Sequence, residues 1–546
     1  MRTTFLLTVL IPILSGFFLF GQGPKATVTE PIKLEPAIDV SRTFGFSSKS
    51  FYVLKREHAT RGTRLKPKPS SFIVDRYSSE LELLKSKSFT LNKGLERKFE
   101  FIARKGTEMK VFSSTNMGRA DQKVFYIEDI HTSSLEITDS PKKIGEFKGQ
   151  EITSGPSNYT YSKDKNRLLL YHPFSGEDKE AQLFYTVFNE EFTILHQQTV
   201  KLPYKYQNFV FEDVQVSNSG MVILFGKLYR KGRNEDKGGK PNYEYVITCF
   251  DKGGVEKTYT VNDEEVLVRY PAIGYHESSG KISLAGMYEE KLLEGMRGAF
   301  YALIDTKSDK VLTQKSSKYK GEFIFEDMLA DQRKKQEPKY KKGKFFPLLS
   351  THYKTQKVIS LPNGEALMCA EEHRIYGDEF KDIVVTRFAK DGSIKWSTMI
   401  KKYQHPQEGE RYASFIPVLN DNNLRLLFSD NSKNDLRKPG ERLAPLRTDT
   451  SAQLVLVQLD INTGTKSRKV LLKPNLEEKE AEFINPQSVF IRPNQKTLYL
   501  VRQYNFWEYI YTKTMNSSTS LSQMVINSAI KNKVKGHFSI ARIAFE

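Results

Sequence analysis

The stretch EALMCAEEHRIYGDEFKDIVVTRFAKDGSIKWSTMI, residues 365–400, decides how the rest of the chain is read. It opens on an apolar run, EALMCAEE at 365–372, of the length of one buried strand. A polar, variable segment follows. Then comes DIVVTRF at 382–388, rich in β-branched residues that pack well on a pleated surface. Lys390-Asp391-Gly392-Ser393 is a tight turn, because Asp and Gly tolerate the positive φ of hairpin turns. SIKWSTMI at 393–400 returns as a closing strand. With a short β run ahead of residue 365, the unit holds four strands.

Outward from this unit the layout recurs. Its apolar second run has counterparts in FYVLKRE (51–57), MKVFSST (109–115), RLLLYH (167–172), MVILFGKL (221–228) and KISLAGMY (281–288). LRLLFSDN (424–431) and TLYLVRQY (497–504) complete a series of eight. Most neighbours lie roughly 55–60 residues apart, a period proper to propeller blades. Two gaps are longer, and they carry insertions near 320–345, where FEDMLADQRKK reads as a short helix, and near 430–450. Further turns fall where the layout needs them, at Asp251-Lys252-Gly253-Gly254 and Asn462-Thr463-Gly464. The expectation is therefore an all-β fold, a single β-propeller of eight four-stranded blades. Seven blades plus a flanking segment is the alternative.

The eighth unit ends with HFSIARIAFE at 537–546 and leaves no residues for its fourth strand. ATVTEPIKL at 26–34 is the unassigned β-like segment, and it is expected to close the ring as that strand, removing an exposed edge. Ahead of it, Arg2 and the uncharged run FLLTVLIPILSGFFLF (5–20) read as a signal peptide ending near Gly21. The run is short for a membrane span and Pro12 interrupts it. Residues 1–21 are thus expected to be removed, with 22–546 forming the propeller domain. The destination is export, to the periplasm, the cell surface or the medium, not integration into a membrane. Cys249 and Cys369 lie in apolar runs and read as free, buried thiols, since two cysteines make no disulfide framework.

The net charge of +19 favours anionic surroundings. It concentrates in the connections between second and third strands, which a meander places on the face opposite the hairpin turns. Candidate binding residues there are Arg230, Lys231, Arg233 and Lys237, then Arg374, then Arg437 and Lys438. Trp507 joins them from the aromatic run YNFWEYIY (504–511), since aromatic-rich loops stack on sugars or bases. Neither a nucleophile elbow nor a zinc helix is present, and none of the nine histidines has a partner at i+2 or i+4. No catalytic residue, metal or cofactor is expected.

DIVVTRFAKDGSIKWSTMIKKYQ (382–404), LRLLFSDNSKN (424–434) and the FEDMLADQRKK insertion resemble a group of exported, largely uncharacterised propeller-like proteins common in Bacteroidetes-type bacteria. The resemblance implies the fold and the exported compartment, and carries no site residues with it. The expected function is a non-catalytic binding or scaffold propeller of the bacterial envelope. It would act as a monomer, through a loop-rich basic face, on an envelope protein or anionic glycan and on no specific nucleic acid. The alternative is a propeller hydrolase or lyase acting on an envelope glycan at the channel mouth.

Overall fold

The computed structural model describes residues 24–545 apart from 35–37, 46, 48, 58–70, 92–96, 118–121, 149–156, 255, 327, 344–347, 375–378, 406–412, 448–451, 474–482, 485, 487–488, 492–496 and 505–536. The expected signal segment and Trp507 lie outside the described residues.

Eight sheets stand in a ring, and the chain is a β-propeller. Blades 1 to 7 occupy residues 38–90, 98–148, 158–205, 209–261, 267–318, 353–400 and 416–472, each an antiparallel meander in chain order. Blade 8 combines 483–504 and 537–544 with the N-terminal segment. The eight apolar runs read from the sequence are the eight second strands. Second and third strands are the most deeply buried, as in Val222–Tyr229 and Tyr243–Phe250. Fourth strands such as Lys310–Lys318 face solvent. A blade has two apolar faces and buries neither alone, so the core lies between blades. Phe225 and Tyr245 of blade 4, for example, join Ile282 and Phe300 of blade 5 in one cluster.

Ring closure follows the sequence expectation. Lys25–Val28 pairs with Ala541–Ala544, and Ile32–Lys33 pairs with His537 and Phe538. Between the two short strands, the Thr29 hydroxyl accepts a hydrogen bond from the Ile540 amide at 3.0 Å.

First strands form the inner ring and are tied side by side. Arg42 donates to the Ile102 carbonyl, Gln215 to Ile273 at 3.1 Å, and Ser360 to Gly274 at 2.6 Å. Gly274 is required for this approach, because a Cβ there would stand 2.5 Å from the Val358 carbonyl oxygen. The insertion between blades 5 and 6 folds as two helices, Gly321–Phe325 and Ala330–Lys341. The three turns read from the sequence are as expected. Gly254, Gly392 and Gly464 supply the positive φ in blades 4, 6 and 7, but Leu81 and Phe192 do so in blades 1 and 3. Both of those side chains are buried, and that burial offsets the left-handed backbone.

Candidate functional site

An antiparallel meander puts its two hairpin turns at one end and its middle connection at the other. The links from blade to blade fall on that second end too. One face of the ring is therefore made of short turns, and the other of long connections. Contacts among the connections bear this out. Arg233, in the blade 4 connection, donates to the carbonyls of Gln207 (2.7 Å) and Tyr206 (3.1 Å) in the link from blade 3. The Ala330 amide of the helical insertion donates to Gly440 in the blade 7 connection.

The candidate residues fall on this face, in blades 4, 6 and 7, and several are engaged within their own loops. Arg230 lies 4.0 Å from Glu244, and Arg233 is held by carbonyls as above. Arg374 sits 2.8 Å from Glu372 and 4.0 Å from Glu379. Arg437 donates to the Glu441 carbonyl at 2.9 Å, and the Lys438 amide donates to the Glu441 carboxylate. Lys231 and Lys237 are exposed, with no ion-pair partner among the described residues. Lys237 belongs to a small hairpin, Asp236–Lys237 with Lys240–Pro241, at the tip of its loop.

The sequence pointed to the channel mouth as an alternative site but marked none of the channel's residues. Five first strands carry a bulge, which leaves Ser41, Glu100, Glu212, the pair Tyr270-Pro271, and Gln356 out of register. An innermost strand has one free edge and a tight curve to follow, so it can bulge without breaking a second ladder, and a bulge re-aims side chains. Glu212 is solvent-accessible yet walled by protein, and burial raises its pKa against the opposing pull of Lys227 and Lys354. Lys354 belongs to blade 6, two blades away, so the two side chains share one lumen. Tyr270 is 46% exposed at φ +41°, a left-handed backbone unusual for an aromatic residue. The Arg269 guanidinium lies 5.3 Å from its ring centroid.

Near the connection face, blades 4 and 5 bury a polar cluster beside the channel. Glu235 accepts from Lys227 and from the Tyr229 hydroxyl, each at 2.6 Å, with Arg269 at 3.4 Å. Burial alone would raise the Glu235 pKa, but Lys227, Tyr229 and Arg269 together hold it below the usual carboxylate value. The Lys227 ammonium also lies 3.7 Å from the Tyr243 ring centroid. Glu289 is fully buried and accepts from the Leu293 amide at 2.8 Å. Burial raises its pKa, with Arg269 opposing and Glu235 reinforcing.

Deeper in the ring the lumen is cationic and aromatic. Arg42 of blade 1 reaches the Tyr159 ring of blade 3 at 4.8 Å, and its buried Nε has no hydrogen-bond partner among the described residues. Burial, opposed by Tyr161 and reinforced by Arg56, lowers its pKa to about 10. Lys165 of blade 3 is lowered to about 8, first by burial and then by Lys357 of blade 6. Other charged groups serve the frame. Lys402 and Glu371, both fully buried, pair at 2.6 Å, and the Ser414 hydroxyl donates to Glu371 across the blade 6 to blade 7 link.

Cys249 and Cys369 are free and buried, and burial raises both thiols to about 12. Among the described residues no group of three or more His, Cys, Asp or Glu is placed to hold a metal ion. Nor is any helix there long and apolar enough to cross a membrane.

No protein-family model matches the chain, and no curated protein does. Solved structures with a similar fold include prolyl oligopeptidase B from Galerina marginata, at 10% identity and a TM-score of 0.37, covering 86% of this chain and 55% of that one. The apocarotenoid oxygenase of Synechocystis is similar at 11% identity and a TM-score of 0.34, covering 82% of this chain and 95% of that one. A PL25 ulvan lyase is similar at 11% identity and a TM-score of 0.37, covering 74% and 89% respectively. The chain spans about half the length of the prolyl oligopeptidase it matches. At these identities the likeness is one of fold alone.

Proposed function

We propose that this chain is an exported, non-catalytic binding propeller of the bacterial envelope, which holds an anionic partner against its connection face. The observation that supports this reading is the unequal division of the two faces. Long cationic connections gather on one, and stereotyped turns occupy the other. Lys231 and Lys237 stand exposed on the longest described excursion of blade 4, where a partner carboxylate, sulfate or phosphate would meet them without displacing a native ion pair. Exposed pairs of this kind contribute little each, so affinity comes from several at once and weakens with salt. The test is affinity capture from envelope extract with the immobilised protein. A partner should be retained at low salt, released as salt is raised, and recovered several-fold less with Lys231→Glu plus Lys237→Glu. Equal recovery with the double variant would defeat the reading.

A second reading, a hydrolase or lyase acting on an envelope glycan, is favoured by one observation. Glu235 and Glu289 gather beside Arg269 near the channel mouth, and Glu212, which interacts with Glu235 and Lys227, combines solvent access with a raised pKa. The two readings part on whether an acidic glycan is shortened or merely retained.

A further inference from the structure

The cations of the lumen are placed as though a negative charge were meant to come between them. Lys354 and Lys357 lie three residues apart on the first strand of blade 6, both exposed, and neither has an ion-pair partner among the described residues. Arg42 has as neighbours the rings of Tyr159 and Phe44, the Ile102 carbonyl and a second cation, Arg56. Lys357 repels Lys165 across the channel. Like charges gathered between low-dielectric walls focus a positive potential, and an entering oxyanion turns mutual repulsion into attraction. The guanidinium adds a planar donor set suited to a carboxylate or sulfate.

The aromatic partner of this charge is Tyr270. Blades 5 and 6 run side by side, with Gly274 against Val358 and Ser360, so counting four residues back sets Tyr270 level with Lys354. On an innermost strand, flanked by other first strands, a half-exposed side chain faces the lumen. One ring face lies toward Arg269, and the exposure of the rest leaves surface for a ligand. A strained backbone that holds an aromatic ring out of the core is a feature found at ligand clamps.

We infer that the central channel is a binding site for an acidic saccharide, its oxyanions among Lys354, Lys357 and Arg42 and a sugar ring on Tyr270. This rests on the reading of the chain as a binder of anions and names the chemical class it takes. A free inorganic oxyanion would use the cations and leave Tyr270 idle. Glu212 shares the lumen, and its raised pKa lessens the charge it sets against such a ligand.

The experiment is titration calorimetry of the purified chain with a galacturonate hexasaccharide, a chondroitin sulfate hexasaccharide, a neutral cello-hexasaccharide and inorganic sulfate. At least one acidic hexasaccharide should bind saturably, at least about tenfold tighter than the neutral one, with sulfate alone weaker still. Lys357→Ala and Tyr270→Ala, each checked by thermal melt for an intact fold, should each lose about tenfold in affinity. Lys310→Glu, on the exposed fourth strand of blade 5, should bind as the unaltered chain does, and Lys231→Glu plus Lys237→Glu is titrated beside it. Failure of both acidic hexasaccharides to bind overturns the inference, as does sulfate binding as tightly as they do. So does unchanged affinity in both channel variants. Loss of affinity only in the Lys231 and Lys237 variant overturns the channel site and leaves the binding face standing.

Discussion

His172 shows what a single buried side chain does to the pH response of the fold. Its ring lies against Phe147, its Nδ1 is 3.4 Å from the Ser157 hydroxyl, and its Nε2 is buried with no hydrogen-bond partner among the described residues. Burial first, then Lys123 and Lys98, lowers its pKa to about 3, so the folded protein keeps it neutral. Glu100 stands close by, accepting from the Ser157 amide at 2.7 Å and paired with Lys123 at 3.1 Å. An unfolded histidine takes up a proton below about pH 6.5. Between pH 6.5 and 3 the unfolded chain therefore binds more protons at this position than the folded one. Stability rises with pH across that window, and is lost as pH falls from 6.5 toward 3. Urea midpoints taken stepwise from pH 7 to pH 4 should fall more steeply for the unaltered chain than for His172→Gln. Equal slopes would rule this out. In the sequence His172 is one of nine scattered histidines, and nothing local marks it, because its environment is assembled from blades 2 and 3.

Neighbouring blades are locked at their turns as well as through their cores. Trp396, on the fourth strand of blade 6, donates its indole N–H to the Ile461 carbonyl of blade 7 at 3.0 Å. The same carbonyl accepts from Arg387 at 2.5 Å. Gly464 of that blade 7 turn has φ +76°, and a Cβ on it would stand 2.8 Å from the Trp396 ring. Gly464→Ala should thus cost at least about 1–2 kcal/mol from the left-handed backbone alone, with the ring contact added. Chemical denaturation reads this directly, and an unchanged midpoint would show that the contact yields freely. Turns such as this one, and the second strands, were legible because local chemistry determines them: glycine for positive φ, an apolar run for burial on both faces. Bulges were not. They answer to the curvature of the inner ring, and in a short strand one skipped residue looks like noise in the alternation. Lys354 and Lys357, in TQKV and its surroundings, read as an ordinary solvated strand face. Only the ring turns that solvent into a lumen. The basic connections were legible as loops, but Glu244, Glu372 and Glu441 as their partners were not, since loop folding decides who meets whom.

At the scale of the whole molecule, the ring is closed by a seam of two short strands. Thr27 lies directly opposite Arg542 in it, at a spacing a disulfide can bridge. Thr27→Cys with Arg542→Cys should form a crosslink under oxidation, seen as a mobility shift without reductant. It should raise stability by about 2–4 kcal/mol. The native thiols, buried and held protonated, would not compete. Absence of the crosslink would mean that the seam does not hold this register. The seam also sets an order of events. Thr29 and Ile540 are 511 residues apart, so the N-terminal strand meets its partner only after the seven intervening blades have been made. At about 5–20 residues per second, that is a wait of about 25–100 seconds during synthesis. Seven blades can stack while the strand that completes the eighth is still without a neighbour. Its shortness and the polar Thr29-Glu30-Pro31 break between its halves make it a poor template for foreign strands in that interval. Joining the seam is then a slow, long-range capture, which loss of residues 25–33 would forestall.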